Sequence, residues 1–372
     1  MRTKLAADLG LEFPIFAFTH CRDVAAAVSK AGGLGVLGVA GHSADNLRTE
    51  LEWIENEIGD KPYGVDLLLP AKFVGSDRGG LDASELDAQI PDAHRRFVDD
   101  LLDRHGVPRL SEDAHVSPAF SVGYEQQREV IELAFSHRIS LIASALGPPP
   151  SWMIEQGRAR GVKVAALAGT VEHARRHVAA GVDIVVAQGY EAGGHTGEIS
   201  TMVLVPEVVD AVDPIPVLAA GGIGNGRQVT AALALGAQGV WTGSVWLTTA
   251  EAETHPVVKE KFLQATSRDT VRSRSLTGKP ARQLRSAWTE AWSDPANPDP
   301  LPMPLQPRLV REAQTRISRS AHKSPGAEQL INYFVGQIVG SMNQVTSAKS
   351  VVENLVQEYA ATMERLDDWA GG

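Results

Sequence analysis

Short apolar segments alternate with segments of helical periodicity along most of the chain, and this alternation constrains the fold more than any other feature. We interpret the apolar segments as buried parallel strands, because they lack the polar alternation of a half-exposed sheet. The predicted strands span residues 13–18, 34–38, 63–69, 139–145, 163–168, 183–187, 216–220 and 239–242. Eight strand–helix units predict an α/β fold, the closed (β/α)8 or TIM barrel. A doubly wound open sheet is the alternative.

The chain is longer than a minimal barrel, so part of it must fold outside the strand–helix pattern. A minimal barrel needs about 250 residues, and the chain has 372. One surplus region, residues 71–118, predicts an insertion on a βα loop with a polar helix over 91–105. We predict a barrel over 1–250, a cap or lid over 251–345 at the barrel mouth, and a closing C-terminal helix within 346–372.

Charge and cysteine content exclude several classes of protein. The net charge of −10 argues against nucleic acid or an anionic membrane as a partner. A single cysteine, Cys21, allows no internal disulfide and no cysteine-cluster metal site. His173 and His177 lie four residues apart on a predicted exposed helix, but no acidic third ligand is apparent, so we expect no metal. No apolar run approaches a membrane span, and residues 1–10 lack a signal-peptide pattern, so we expect a cytoplasmic protein.

The loop after the sixth predicted strand combines four glycines with one histidine. Residues 188–197 read Gln-Gly-Tyr-Glu-Ala-Gly-Gly-His-Thr-Gly. Glycines let a ligand approach the backbone closely, and the unperturbed pKa of a histidine lies nearest neutrality. Barrel enzymes carry their active sites at the C-terminal ends of the strands. The pattern therefore predicts an active site around His195; a structural turn with a surface histidine is the alternative.

Two further glycine loops follow the seventh and eighth predicted strands. Residues 221–226 read Gly-Gly-Ile-Gly-Asn-Gly, and Gly243-Ser244 follows the last strand. In barrels, the loops after strands seven and eight commonly bind a phosphate through backbone N–H groups. The order of glycines is not the dinucleotide fingerprint, and no acidic ribose-binding residue follows. A ligand with a phosphate tail and a reactive head is predicted; flavin mononucleotide (FMN) fits, and so would a sugar phosphate.

These motifs resemble those of the nitronate monooxygenase (2-nitropropane dioxygenase) family. The histidine loop resembles the signature of the family, and residues 216–226 resemble its flavin phosphate loop. Further similar segments are residues 24–38, 61–67, 237–244, 275–282 and 336–340. The resemblance implies a TIM barrel with FMN as cofactor, acting on a small-molecule nitroalkane or nitronate together with oxygen. Nothing in the sequence fixes the oligomeric state, and a homodimer is compatible with it.

The resemblance also implies roles for individual residues. His195 matches the catalytic histidine, as a general base on the carbon acid or as a hydrogen-bond donor to the nitro oxygens. The remaining implied residues are those that hold the phosphate or lie along the flavin: Gln188, Gly189, Gly194, Gly221, Gly222, Gly243 and Ser244.

Two segments depart from the family pattern near the expected flavin. The first strand of the family usually ends Gln-Ala-Pro-Met, whereas residues 16–20 here read Phe-Ala-Phe-Thr-His, so Ala17 and Phe18 are expected to form an altered pocket floor. Asp66 replaces an asparagine of the third strand. An acid beside the flavin disfavours a negative reduced flavin unless the acid is protonated or paired. Both changes leave the substrate open.

Four functions remain after the sequence is considered. The first is FMN-dependent oxidation of alkyl nitronates or nitroalkanes by oxygen, and its alternative is an NAD(P)H-dependent FMN reductase of quinones or enoyl thioesters. A barrel lyase or isomerase for a phosphorylated substrate would need no flavin. A flavin-binding barrel that has lost catalysis is the fourth. Trp288, in the predicted cap, is a candidate roof of the site.

Overall fold

The computed structural model of the chain describes residues 1–111, 116 and 124–371, with side chains in the helix that starts at Tyr124 described from Gln127 onward. Residues 112–115 and 117–118 of the predicted insertion therefore lie outside the described residues. In chain order the strands are β1 (Ile15–Thr19), β2 (Leu34–Gly38), β3 (Tyr63–Leu68), β4 (Leu141–Ala145), β5 (Lys163–Ala168), β6 (Ile184–Gln188), β7 (Gly194–His195), β8 (Val217–Ala220), β9 (Gly239–Thr242), β10 (Thr270–Ser273) and β11 (Ala281–Leu284).

Eight of these strands close into a parallel barrel in the order β1-β2-β3-β4-β5-β6-β8-β9. The last strand of the barrel pairs with the first through Phe16 and Trp241, which removes both sheet edges. The predicted (β/α)8 barrel is thus confirmed, with its seventh and eighth strands as β8 and β9. The two-residue strand β7 lies outside the barrel sheet, within the histidine loop.

Helices surround the barrel and form the region above its mouth. They are α1 (Lys4–Asp8), α2 (Arg22–Lys30), α3 (Ala44–Ile58), α4 (Ala83–Ala88), α5 (Asp92–Arg104), α6 (Tyr124–Ser136), α7 (Ser151–Arg160), α8 (Val171–Ala180), α9 (Thr201–Val212), α10 (Gly226–Ala234), α11 (Pro256–Gln264), α12 (Ala287–Ala291), α13 (Leu305–Ser320), α14 (Pro325–Leu330) and α15 (Ala348–Gly371). The C-terminal helix α15 packs against α10 and α2, and its Glu358 carboxylate accepts the Gly226 N–H at 2.9 Å. None of the described helices has the length and apolarity that a membrane span requires.

Strand alternation divides the barrel residues into an inner and an outer set. Phe16, Phe18 and Trp241 point into the barrel, where the Trp241 ring stacks 6.4 Å from each phenylalanine ring. Val65 and Leu67 of β3 point outward and pack beneath the helices. Burying each large apolar side chain contributes about 1.5–3 kcal/mol to folding, so both layers stabilise the barrel. The inner aromatic residues lie directly beneath the mouth.

A small second sheet connects the histidine loop to the cap, by which we mean residues 256–341, with helices α11–α14 and strands β10 and β11. The sheet order is β10-β11-β7, with Ala281 paired to His195 and Arg282 paired to Gly194. The buried Arg282 guanidinium donates to the Tyr190 carbonyl from Nε at 3.1 Å and Nη2 at 2.9 Å, and lies 4.4 Å above the Tyr190 ring. The histidine loop is therefore held by the cap as well as by β6.

The described part of the predicted insertion packs against the cap through helix α5. Helix α5 (Asp92–Arg104) corresponds to the helix predicted over 91–105. Its Phe97 ring contacts the Trp292 ring edge-on, with 4.8 Å between the ring centroids. Leu101 of α5 and Ile317 of α13 are buried in the same apolar cluster. The opposite face of α5 is charged and exposed. The domain boundaries given above stay a prediction.

Helix α9 begins earlier than its sequence suggests. The apolar pattern predicts a helix over 205–212, whereas the structure has Thr201–Val212. The Ser200 side chain makes no cap hydrogen bond; instead the Glu191 carboxylate accepts the Thr201 N–H at 2.9 Å and its hydroxyl at 2.8 Å. A cap supplied from ten residues away leaves no local sequence signal.

Candidate active site

A cavity of about 1380 Å³ lies between the C-terminal ends of the barrel strands and the cap. Most of the residues proposed from the sequence line it: Phe18, Asp66, Gln188, Gly194, His195, Gly221, Gly222, Gly243 and Ser244. The fold therefore brings the histidine loop and both glycine loops, residues 221–226 and 243–244, to one space. Residues of the cap, among them Thr277 and Phe334, close the opposite wall.

Two of the proposed residues have side-chain positions that face away from the cavity. Ala17 is fully buried in the cluster between the barrel and its outer helices, because the neighbouring Phe16 and Phe18 take the inward positions. A Cβ built on Gly189 would come within 2.1 Å of the Thr201 hydroxyl, so this glycine allows the start of α9 to pack closely. Neither is among the residues that line the cavity.

The two glycine loops present unpaired backbone donors. Among the hydrogen bonds of the described residues, none uses the N–H groups of Gly221, Gly222, Gly243 or Ser244. Gly221 and Gly222 have φ of +96° and +70°, a left-handed conformation that strains other residues. Unpaired N–H groups at the edge of a cavity can bind an anion, and a phosphate offers several acceptor oxygens to such a cluster.

The loop supplies these donors, whereas the N–H groups of Gly226 and Gln228 in the first turn of helix α10 are already used. Gln228 Oε1 accepts the Gly224 N–H at 2.8 Å, Asn225 Oδ1 accepts the Gln228 N–H at 3.1 Å, and Glu358 accepts the Gly226 N–H. The unpaired donors therefore lie in the loop, upstream of the first residue of α10. The Ser244 hydroxyl oxygen accepts the Gly336 N–H at 2.7 Å, which fixes that side chain.

The ring of His195 has a hydrogen-bond partner in the cap wall, the Thr277 hydroxyl group. His195 Nε2 lies 3.0 Å from the Thr277 hydroxyl oxygen. That hydroxyl donates to the Lys279 carbonyl at 3.1 Å and accepts the Lys279 N–H at 3.3 Å. With its single proton directed to the Lys279 carbonyl, the hydroxyl accepts from Nε2. In that arrangement the neutral imidazole carries its proton on Nε2 and a lone pair on Nδ1.

The environment of His195 keeps the imidazole neutral. Burial, and then the nearby Lys279 ammonium, lower the pKa of His195 from 6.5 to about 4. Burial and the like charge of Lys72 lower the pKa of Lys279 in turn. The Phe334 ring lies 6.3 Å from the imidazole. At neutral pH the site holds an uncharged base beside a cation, an arrangement that can take a proton and stabilise the resulting anion.

The cavity floor below is aromatic. The His20 ring meets the Phe18 ring edge-on at 5.1 Å, and its Nδ1 lies 3.0 Å from the Gly38 carbonyl oxygen, to which it donates. Burial lowers the pKa of His20, so this imidazole is also uncharged at neutral pH. The altered end of the first strand thus produces a floor of aromatic rings, flanked by Asp66 on β3.

Sequence reasoning missed several residues of the cap wall. Thr277 and Lys279 lie within the family-like segment 275–282, but no chemistry was assigned to that segment. Trp288 is fully buried in the cap core and is not among the residues that line the cavity. His177, expected on an exposed helix face, is buried; its Nε2 lies 3.0 Å from the Leu167 carbonyl oxygen.

Comparison with known proteins agrees with the resemblance found in the sequence. The profile of the family described as nitronate monooxygenase matches residues 9–358. A Mycobacterium tuberculosis protein provisionally named monooxygenase Rv1533 is 60% identical, with 98% of each chain covered. A Staphylococcus saprophyticus protein named probable nitronate monooxygenase is 30% identical, with 98% of this chain and 99% of the relative covered.

Solved structures give the same fold. A nitroalkane oxidase from Streptomyces ansochromogenes superimposes with a TM-score of 0.79 at 27% identity, covering 97% of this chain and 99% of that one. FabK from Thermotoga maritima superimposes with a TM-score of 0.73 at 27% identity, covering 99% of both chains.

Proposed function

The chain belongs to the nitronate monooxygenase family of flavin-dependent oxidoreductases, and we propose that it binds FMN and oxidises nitroalkanes and alkyl nitronates with oxygen. The observation that carries the proposal is the placement of the His195 imidazole, with Nε2 against the Thr277 hydroxyl group, in the same cavity as a cluster of unpaired backbone N–H groups.

The residues present fit FMN. The unpaired N–H groups of Gly222, Gly243 and Ser244 match a dianionic phosphate, and the inner aromatic floor matches a planar ring system. The cavity of about 1380 Å³ exceeds the range of about 300–1,000 Å³ typical of single-ligand pockets, which leaves room for a substrate beside the cofactor. When bound, the flavin supplies the electron acceptor of the oxidation and the route to oxygen.

His195 is proposed as the base that removes a proton from the carbon bearing the nitro group. Its Nε2–H is held by Thr277, so Nδ1 is the atom that can accept the proton. A pKa of about 4 makes it a weak base, but the Lys279 ammonium can stabilise the negative charge that develops on the nitro oxygens. This geometry favours the base over the alternative role of hydrogen-bond donor to the substrate.

The NAD(P)H-dependent reductase of quinones or enoyl thioesters stays a second candidate because of one further observation. His173 and Arg176 of α8 also line the cavity, in addition to Lys279 beside His195. The Arg176 guanidinium, with the His173 ring beside it on the same helix, could contact the phosphates of a dinucleotide. This reaction requires no proton abstraction from carbon, so it does not use the base that the site provides.

A test of the proposal compares two substrates in two proteins. We expect purified protein to show flavin absorption, with FMN released on denaturation, and to consume oxygen with both a nitroalkane and its preformed nitronate. His195→Asn should lose most nitroalkane oxidation but keep nitronate oxidation, because the nitronate has already lost the proton. Absence of flavin, or rapid NADH oxidation with a quinone and no oxygen uptake with either nitro compound, would contradict the proposal.

A further inference from the structure

One carboxyl group in the cavity floor has no role in the function proposed above. Asp66 lies on β3, paired in register with Gly38 on β2 and with Ala143 on β4. Its neighbours Val65 and Leu67 pack outside the barrel, and the Asp66 side chain lines the cavity. It is therefore an inward-facing residue near the C-terminal end of its strand, at the level where a ligand would rest on the floor.

The carboxyl group of Asp66 is isolated. The residue is only 6% exposed, and its Oδ2 is buried with no hydrogen-bond partner. None of the hydrogen bonds and ion pairs within the described part of the chain involves either carboxyl oxygen. Its backbone carbonyl, by contrast, accepts the Val39 N–H at 2.9 Å, so only the side chain is unsatisfied.

Isolation of this kind determines the charge of the group. A buried carboxylate without a cation or donor is strongly disfavoured, and such a group takes up a proton instead. Burial accordingly raises the pKa of Asp66 well above its usual value. A protonated carboxyl group carries one O–H donor, and no described residue accepts it. The acceptor must come from whatever occupies the cavity.

We propose that Asp66 is a neutral carboxylic acid whose O–H donates a hydrogen bond to an acceptor nitrogen or carbonyl oxygen of the cofactor ring on the cavity floor. The inference rests on the proposed function, because the ring is that of the flavin. It also removes the conflict noted in the sequence: an uncharged acid beside the flavin does not repel negative charge on the reduced ring, and its O–H stabilises that charge.

Infrared spectroscopy tests the protonation state of Asp66 without relying on turnover. In protein labelled with ¹³C at aspartate carboxyl groups, we expect the C=O band of a protonated carboxyl group at pH 7.5, with and without FMN. The band should disappear in Asp66→Asn and persist in the control Asp60→Asn, since Asp60 is exposed. A wild-type spectrum without that band overturns the proposal, and the near-isosteric amide limits the risk of misfolding.

Flavin affinity tests the hydrogen bond itself. Asp66→Asn keeps an N–H donor at the same place and should bind FMN within about twofold of wild type, whereas Asp66→Leu should bind about 3- to 10-fold more weakly, the effect of one hydrogen bond. Circular dichroism establishes that each variant is folded before titration. Equal affinity of the leucine variant and wild type overturns the inference on Asp66 alone. Wild-type protein that binds no FMN overturns the proposed function as well.

Discussion

Replacing Thr277 by valine is predicted to impair His195 without touching the substrate. Valine has nearly the same shape as threonine but cannot accept the His195 Nε2–H, now at 3.0 Å, or the Lys279 N–H, now at 3.3 Å. Each buried donor left without an acceptor costs about 1–3 kcal/mol. The imidazole can then rotate or move its proton to Nδ1, and either change removes the lone pair from the position where it acts as a base.

The expected size of the kinetic effect follows from that cost. A loss of about 1.4–2.8 kcal/mol in transition-state stabilisation lowers kcat/KM for a nitroalkane about 10- to 100-fold. Oxygen uptake measured over a range of nitroalkane concentrations gives this ratio. Thr277→Ser keeps the hydroxyl group and should stay within about threefold of wild type.

A second substrate separates positioning of the base from general damage. Oxidation of a preformed nitronate needs no base, so Thr277→Val should retain it almost fully. If the valine variant oxidises the nitroalkane within twofold of wild type, Thr277 does not orient His195 and the reasoning is refuted. If it loses both activities equally, the hydroxyl serves the structure of the site rather than the tautomer of the histidine.

Three further predictions concern the phosphate loop, the pH dependence and the attachment of the histidine loop. Gly222 and Gly161 both have φ of +70°, so alanine at either position strains the backbone by about 1–2 kcal/mol. Only Gly222→Ala should weaken FMN binding in a fluorescence titration. Equal FMN affinities of the Gly222→Ala and Gly161→Ala variants would contradict the phosphate site. Because burial and the Lys279 ammonium hold the pKa of His195 at about 4, the base stays unprotonated as the pH falls from 7, and kcat/KM for a nitroalkane should decline only near pH 4. Lys279→Met should move that decline to higher pH; a wild-type decline centred at 6.5 would count against the assignment. Arg282→Lys loses the two hydrogen bonds that the guanidinium donates to the Tyr190 carbonyl in the histidine loop. This variant should lower the free energy of unfolding by about 2 kcal/mol. An unchanged denaturation midpoint would argue that the guanidinium does not hold the loop.

Local patterns in the sequence were sufficient to predict the barrel, the histidine loop and the two glycine loops that line the cavity. Buried parallel strands read as continuous apolar runs, and all eight barrel strands lie within about two residues of their predicted ends. Glycine loops directly after β6, β8 and β9 are also local signals, because the C-terminal ends of parallel strands share one face of a barrel. These signals placed His195 and Gly222 in one cavity.

The rest of the site depends on contacts between distant segments, which a local pattern does not contain. Thr277 reaches His195 across 82 residues of sequence, and Glu191 caps a helix that has no cap of its own. Ala17 and Phe18 were both expected at the cofactor, but adjacent residues of a strand face opposite sides, and only Phe18 faces inward. The hydrogen-bonding state of Asp66 likewise follows from three-dimensional burial alone.

A crystal structure of the protein with FMN tests the central claim most directly, because that claim is about where two groups of one ligand lie. We expect the phosphate within hydrogen-bond distance of the N–H groups of Gly222, Gly243 and Ser244, and the ring system on the aromatic floor with His195 Nδ1 facing the substrate space beside it. A phosphate bound elsewhere, or a His195 ring whose Nδ1 points away from that space, would contradict the account.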